Sequence, residues 1–114
     1  MSKYNTIDVW NHYYGKKEDV KDYAGRLMKK SACNNPNSKY FPTIDHVRPL
    51  SKGGSDVIEN IILCNRKTNE EKADNFPHWK TNGNRFFSSR IKGNRKSYTI
   101  NKYWFSKKGV AFYD

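Results

Sequence analysis

The sequence contains no apolar segment long enough to cross a bilayer, and its first residues lack the apolar core of a secretory signal. Cysteine is scarce, since only Cys33 and Cys64 occur and they form no CxxC pair. A zinc site made of four cysteines is therefore excluded within one chain. We expect two free thiols in a reducing cytoplasm, with a single disulfide as the alternative. These absences predict an intracellular protein with no membrane partner.

Acidic side chains are too few to balance the basic ones: 11 Asp and Glu stand against 22 Lys and Arg, for a formal net charge of +11. A small domain with such an excess attracts polyanions, and nucleic acid is the leading partner class. The length of 114 residues allows one modest core, in which aromatic rings, 15% of the chain, supply much of the buried area. We therefore predict a single domain over residues 1–114.

Residues 1–39 are predicted to support the centre of the chain. Apolar residues recur at helical spacing over Thr6–Tyr14, and Gly15 follows where a glycine often ends a helix. Residues 26–33 are predicted to be extended. The N-terminal third is thus expected to contribute one helix to an α+β fold.

The centre of the chain, residues 40–75, is predicted to form a strand, a long loop, a second strand and a helix. Tyr40–Val47 alternates in the manner of a strand, and Ile61–Cys64 is a short apolar run rich in β-branched residues. Asn65–Ala73 favours a helix, which Pro77 would prevent from continuing. This order predicts a hairpin followed by a helix.

The segment between the two predicted strands carries turn signals. Pro49 and the pair Gly53-Gly54 indicate a loop. Asp56 is placed to cap a helical turn, with Glu59 three residues later in the capping-box position.

Residues 76–114 are rich in aromatic and basic side chains. Arg85–Ile91 and Tyr98–Phe105 are β-rich runs, and the residues 92–95 between them favour a turn. We expect a β-hairpin extension whose aromatic rings either pack in the core or stack on bases. The basic residues would extend a nucleic-acid footprint or form a solvated face.

Side chains suited to metal and proton chemistry concentrate in the central segment. Asp45 and His46 lie on the first predicted strand, Asn60 precedes the second strand, and Asn69 lies on the helix. A hairpin packed across a helix would bring these four side chains to one site. Each residue taken alone is an ordinary polar position, so only the combination points to chemistry.

The combination consists of Asp45-His46-x-x-Pro49, Ser51-Lys52-Gly53-Gly54-Ser55, Asn60 and Asn69-x-x-Lys72. It resembles the HNH endonuclease family, in a variant similar to the HNH domain of RNA-guided CRISPR effector nucleases and of small phage and bacterial HNH proteins. The resemblance implies a ββα-metal core at residues 40–75, to which the N-terminal helix and the C-terminal hairpin are added. Much of the family holds a structural zinc with two CxxC pairs. This chain lacks them, so we expect no structural zinc and support by packing alone.

The resemblance also implies a role for each motif residue. His46 would be the general base that removes a proton from the attacking water, a task suited to imidazole. Asp45 and Asn69 would be oxygen ligands of one divalent cation, Mg²⁺ with Mn²⁺ as a substitute. Asn60 would orient His46 or its strand, and Lys72 would assist electrostatically at the phosphate.

The implied function is metal-dependent hydrolysis of phosphodiester bonds in double-stranded DNA, one strand per site. The basic residues expected to contact phosphates are Arg48, Lys52, Arg66 and Lys67. The alternatives are a non-cleaving nucleic-acid-binding module of the same fold, a nuclease subunit that needs a targeting partner, and an RNA-binding basic protein. The chain is expected to be bacterial or phage-encoded, and a homodimer is left open.

Overall fold

The computed structural model describes residues 2–105 and 111–113. Within these residues the order of elements is α1 (Thr6–Tyr14), β1 (Asp19–Lys21), β2 (Leu27–Lys29), β3 (Pro42–His46), β4 (Ile61–Asn65), α2 (Arg66–Lys72), β5 (His78–Thr81), β6 (Asn84–Arg90), β7 (Tyr98–Phe105) and β8 (Ala111–Tyr113). Helices and sheet are mixed along the chain, in agreement with the predicted α+β class. In the part of the chain that the structure describes, no helix is long and apolar enough to span a membrane.

The strands pair as three antiparallel sheets, β1-β2, β3-β4 and β5-β6-β7-β8. In the central hairpin the register runs from Pro42 opposite Asn65 to His46 opposite Ile61. The last residue of β4, Asn65, is also the N-cap of α2, because its side chain accepts a hydrogen bond from the Lys67 amide. Strand, strand and helix therefore follow without a linker between β4 and α2, as predicted for residues 40–75.

Local signals also located α1. The side chain of Asn5 caps its first turn by accepting from the Asp8 amide, and Gly15 ends the helix with a φ of 60°. The prediction of an extended segment over residues 26–33 was correct only for β2, since a 3₁₀ turn occupies Lys30–Ala32. The predicted C-terminal hairpin is β6-β7, which β5 and β8 widen to four strands.

The predicted capping role of Asp56 was wrong. The 3₁₀ turn that follows, Ile58–Asn60, has Val57 at its N-cap and no side-chain cap. The carboxylate of Asp56 instead accepts hydrogen bonds from Ser2 and from the Lys3 amide, and it contacts His46. Donors more than 50 residues away in the sequence thus displaced the local cap.

Two apolar clusters make up the core. The first, between α1 and the central hairpin, contains Val9, Trp10, Met28, Cys33, Ile61 and Leu63. The second lies under the C-terminal sheet and contains Ala24, Trp79 and Phe86, with Tyr23 packed against it. The cysteines Cys33 and Cys64 are buried and free, as expected.

A buried carboxylate joins three elements of the fold. Asp22, only 6% exposed, follows β1, and its Oδ1 accepts from the amides of Ala24 (3.0 Å) and Arg26 (2.9 Å). Its Oδ2 accepts from the amide of Asn65 (3.0 Å) and from the hydroxyl of Thr68 (2.6 Å). One side chain therefore holds the β1-β2 turn against the junction of β4 and α2.

Arg26 continues this network towards the C-terminal sheet. Its guanidinium donates to the hydroxyls of Thr68 (3.1 Å) and Thr81 (3.0 Å), and it forms an ion pair with Glu71 at 2.8 Å. Glu71 in turn accepts from Thr81 and from the Asn82 amide. The expectation that packing alone supports the motif was therefore incomplete, because a hydrogen-bonded network connects the same segments.

Replacing Asp22 with alanine should lower the free energy of unfolding by about 3 kcal/mol or more. The substitution leaves the buried Asn65 amide and the Thr68 hydroxyl without their acceptor. Urea denaturation checks this value. The matched control is Asp19→Ala, which removes an exposed pair with Lys29 and should cost at most about 1 kcal/mol. Equal losses in the two variants would contradict the role given to Asp22.

The Arg26–Glu71 pair predicts an acid dependence of stability. Hydrogen bonds from Asn82, Thr81 and Arg26 lower the pKa of Glu71 from 4.5 to about 2. The ionised carboxylate therefore stabilises the fold fully above about pH 4.5, and this contribution is lost as the pH falls towards about 2. Urea midpoints of the wild type and of Glu71→Gln should differ at pH 6 and converge near pH 2. A gap that persists at pH 2 would argue against this ion pair.

Candidate functional site

The predicted motif residues face a depression of about 310 Å³ between the central hairpin and α2. Its lining consists of Ile44, Asp45, His46, Pro49, Leu50, Ser51, Asn69, Ala73 and Asp74. The structure thus brings Asp45, His46 and Asn69 to one concave surface. Asn60 and Lys72 lie behind that surface.

Asp45 is a buried carboxylate with one underused oxygen. It is 6% exposed, and its Oδ2 makes no hydrogen bond with any described residue. The ammonium of Lys72 lies 3.6 Å from this oxygen. Burial raises the pKa of Asp45 to about 6, although the charge of Lys72 opposes the shift. Asp45 also lines the depression, and a carboxylate in such a place is a suitable ligand for a hard cation.

Lys72 is fully buried, and its ammonium does not reach the depression. It donates to the His46 carbonyl at 3.4 Å and lies 5.0 Å from the centre of the Trp79 ring. Its contacts are thus to the strand that carries Asp45 and to the C-terminal sheet. Direct contact with a phosphate, which the sequence analysis expected, requires an exposure that this side chain lacks.

Asn69 is anchored through its amide nitrogen. The Nδ2 group donates to the Thr43 hydroxyl (3.0 Å) and to the Ile44 carbonyl (3.2 Å), so both of its hydrogens are engaged. These bonds fix α2 against β3. They also leave Oδ1 as the atom that can accept a bond or bind a cation beside Asp45.

His46 is held by an acidic side chain. Its Nε2 lies 2.8 Å from Oδ1 of Asp56, which belongs to the segment between the two strands. Bonds from the Lys3 amide, His46 and Ser2 hold the pKa of Asp56 well below its usual range. Asp56 is not among the predicted site residues, because its capping-box spacing with Glu59 indicated a helix cap.

Asn60 organises the loop that follows β3. Its Oδ1 accepts from the Arg48 amide (3.0 Å), and its Nδ2 donates to the carbonyls of Arg48 (3.0 Å) and Ser55 (2.9 Å). The carbonyl of Asn60 accepts from the Val47 amide. This buried amide thus closes the loop and holds the end of the strand that carries His46, without touching the imidazole.

The glycine pair allows the loop to fold on itself. Gly53 has a φ of 88°, in the left-handed region. At Gly54 an added Cβ would lie 1.8 Å from the Arg48 carbonyl oxygen. The motif is therefore a closely packed turn, and the second glycine is required by contact with backbone.

The four basic residues predicted to bind phosphates occupy different places. Arg48 donates to the Lys52 carbonyl and to the Tyr98 hydroxyl, and it lies over the Phe76 ring. Lys52 is exposed on the loop. Arg66, which donates to the Pro36 carbonyl, and Lys67 line a second depression of about 480 Å³ with Arg26, Lys39 and Tyr40. The larger depression contains none of the predicted catalytic or metal-binding side chains, so we centre the site on the smaller one.

Asp74 is a further carboxylate that the sequence analysis did not assign. It follows α2, is exposed, and lines the depression with Asp45 and Asn69. The described residues contain no group of three His, Cys, Asp or Glu side chains arranged to hold a metal. The donor set is thus one buried carboxylate and one amide oxygen, which suits Mg²⁺ because this ion retains several waters.

Replacing Gly54 with alanine should destabilise the fold by at least about 2 kcal/mol, since the methyl group would overlap the Arg48 carbonyl. The side-chain amide signals of Asn60 should shift in NMR spectra at the same time. The control is Gly83→Ala, where φ is positive, unlike at Gly54, and where an added Cβ would meet nothing within 4 Å. Its cost should be about 1 kcal/mol, with unchanged Asn60 signals. Unmoved Asn60 signals in Gly54→Ala would contradict the packing described.

Comparison with known proteins agrees with this geometry. The family model described as HNH endonuclease matches residues 23–78, a span that contains β2, the central hairpin and α2. No curated protein and no solved structure matches the chain significantly. On the family match, the chain belongs to the HNH endonuclease family, whose nucleases act on nucleic acid and generally use a divalent metal ion.

Proposed function

We propose that this protein is a Mg²⁺-dependent endonuclease that hydrolyses phosphodiester bonds in double-stranded DNA. The observation that carries the proposal is the meeting of Asp45, His46 and Asn69 at one depression of an HNH-family hairpin and helix. A cation ligand pair and a proton acceptor are the two parts that hydrolysis of a phosphodiester requires. The chain would act as one domain over residues 1–114.

The metal ligands would be the carboxylate of Asp45 and Oδ1 of Asn69. Asp45 lines the depression, and Oδ1 is the free atom of an amide whose nitrogen is anchored. When bound, the cation would stabilise charge on the phosphate and on the leaving oxygen. Mn²⁺ has the same preference for oxygen ligands and would substitute.

Lys72 acts in this proposal through Asp45. Its buried ammonium, 3.6 Å from Oδ2, favours the ionised carboxylate that a cation needs. This assignment replaces the expected contact with phosphate. Asn60 likewise acts by shaping the loop after β3 and not by touching substrate.

The imidazole of His46 would take the proton of the attacking water. It lines the depression beside Asp45, and the Asp56 contact restrains its ring. One such site cuts one strand, so nicking is the expected outcome for a single chain. A homodimer or a targeting partner would be needed for paired cuts or for choice of sequence.

The basic balance of the chain supports a polyanionic substrate. The net charge of +11 favours binding to the DNA backbone, with little dependence on sequence. Lys52 on the active-site loop and the second depression with Arg66 and Lys67 are the proposed phosphate contacts. We place this activity in the cytoplasm of a bacterium, either for the host or for a phage.

The deciding experiment incubates purified protein with supercoiled plasmid in Mg²⁺, in Mn²⁺ and in EDTA. The wild type should produce nicked circles only with metal, and His46→Ala should lose at least about 100-fold in rate. His12→Ala is the matched control, because His12 is exposed on α1 away from the depression, and it should cut normally.

Two outcomes would contradict the proposal. Cleavage undiminished in His46→Ala would exclude His46 as the base. An intact plasmid that is nevertheless shifted on a gel would favour a non-cleaving binding module or a subunit awaiting its partner.

A further inference from the structure

The contact between His46 and Asp56 determines which ring nitrogen can accept a proton. Oδ1 of Asp56 lies 2.8 Å from Nε2, while Nδ1 makes no hydrogen bond with any residue that the structure describes. Three groups bond to this carboxylate, and their effect on its pKa keeps it ionised at neutral pH. An ionised carboxylate only accepts hydrogen bonds. The proton of the neutral ring must therefore be on Nε2, with the lone pair on Nδ1.

The direction of the ring agrees with this assignment. His46 lines the depression with Asp45 and Asn69, whereas Asp56 is not part of the lining. Nε2 is thus engaged by a residue outside the lining. Nδ1 is the remaining nitrogen, and we expect a water in the depression to bond there.

Asp56 is itself held by the N-terminal segment. The hydroxyl of Ser2 donates to Oδ1 at 2.7 Å, and the amide of Lys3 donates to Oδ2 at 2.8 Å. These donors precede Asp56 by 54 and 53 positions in the sequence. Because both carboxylate oxygens are engaged, rotation of the side chain would break at least one bond. The position of the imidazole therefore depends on residues that lie before the first helix.

We propose that Asp56 is a positioning residue that fixes His46 in the Nε2–H tautomer, and that Ser2 and Lys3 complete this arrangement. The inference rests on the proposed function of His46 as the base. Asp56 does not contact substrate in this arrangement. Its effect is to present the Nδ1 lone pair to the depression, in the way that a buried acid orients a catalytic imidazole.

Two variants test which ring nitrogen carries the proton. Asp56→Asn keeps the shape of the side chain but replaces one acceptor oxygen with an NH₂ group, which only donates. The Asn oxygen can accept from the Lys3 backbone amide only when its NH₂ group donates to Nε2 of His46, and that bond requires the Nδ1–H tautomer. Asp56→Ala removes every acceptor. The control is Glu59→Ala, an exposed acid in the adjacent 3₁₀ turn.

The first measurement is independent of catalysis. Long-range ¹H–¹⁵N NMR spectra of the metal-free protein at about pH 8 report the tautomer of each histidine. We expect Nε2–H for His46 in the wild type and in Glu59→Ala, Nδ1–H in Asp56→Asn, and a mixture of tautomers in Asp56→Ala. An Nδ1–H tautomer in the wild type, or no change in Asp56→Ala, would overturn the proposal even if the chain cuts DNA.

The second measurement is nicking kinetics under the conditions that support wild-type cleavage. Asp56→Ala should lower kcat by about 10- to 100-fold, because a misplaced base reacts poorly, and KM should change by less than about twofold. Asp56→Asn should lower kcat at least as much, because in the Nδ1–H tautomer Nδ1 has no lone pair to accept the proton. Ser2→Ala should lie between the wild type and Asp56→Ala, since the bond from Lys3 remains.

The two failures can be told apart. If the wild type does not cut DNA, the proposed function fails, and the NMR spectra still test the tautomer. If the wild type cuts and Asp56→Ala retains the full kcat while its melting temperature falls, the contact is structural only and the inference is wrong. Should Asp56→Ala fail to fold, the kcat of Ser2→Ala decides: a wild-type value would count against the proposal.

Discussion

The site depends most on the hydrogen bonds that converge on the carboxylate of Asp22. One of its oxygens accepts from the last residue of β4 and from the first turn of α2, through Asn65 and Thr68. This pair of bonds fixes the angle between strand and helix at the point where they join. Asn69 comes one residue after Thr68, so the same bonds determine where its amide lies relative to Asp45. A buried, fully bonded carboxylate thus connects the β1-β2 turn, the end of β4 and the first turn of α2.

The chain as a whole is strongly basic, whereas the buried lysine beside the proposed site is paired with a carboxylate. The excess of 11 positive charges attracts a polyanion, whereas the ammonium paired with Asp45 is the buried one of Lys72. Burial alone would favour the protonated form of Asp45, and Lys72 opposes this tendency. A lysine at this position therefore lets a desolvated carboxylate remain available to a cation. Burying the Lys72 ammonium carries a desolvation penalty. This penalty is partly offset by contacts with the Asp45 carboxylate, the His46 carbonyl and the Trp79 ring.

The sequence predicted those features that depend on residues close together in the chain. Apolar spacing and the Asn5 and Gly15 caps located α1, and β-branching with an N-cap asparagine located β4 and α2. The contacts of Asp22 with Asn65 and of Asp56 with Ser2 span 43 and 54 residues, and no local pattern encodes such pairs. For Asp56 the local pattern was misleading, because the capping-box spacing is present while its carboxylate bonds elsewhere. The grouping of Asp45, His46 and Asn69 at one depression followed from the predicted hairpin and helix, whereas the burial of Lys72 required the C-terminal sheet.

Arg48 shows why residue type alone could not assign the basic side chains. Its backbone is bound on both sides by Asn60, and Gly54 passes so close to its carbonyl that no side chain fits there. Its guanidinium donates to Tyr98 and lies over Phe76, so it connects the active-site loop to the C-terminal sheet. Because a guanidinium on an aromatic face retains part of its donor capacity, this contact does not by itself prevent binding to a phosphate. Arg48 therefore connects the loop after β3 to the segment that follows the family match, and a ligand bound at its guanidinium would lie next to both.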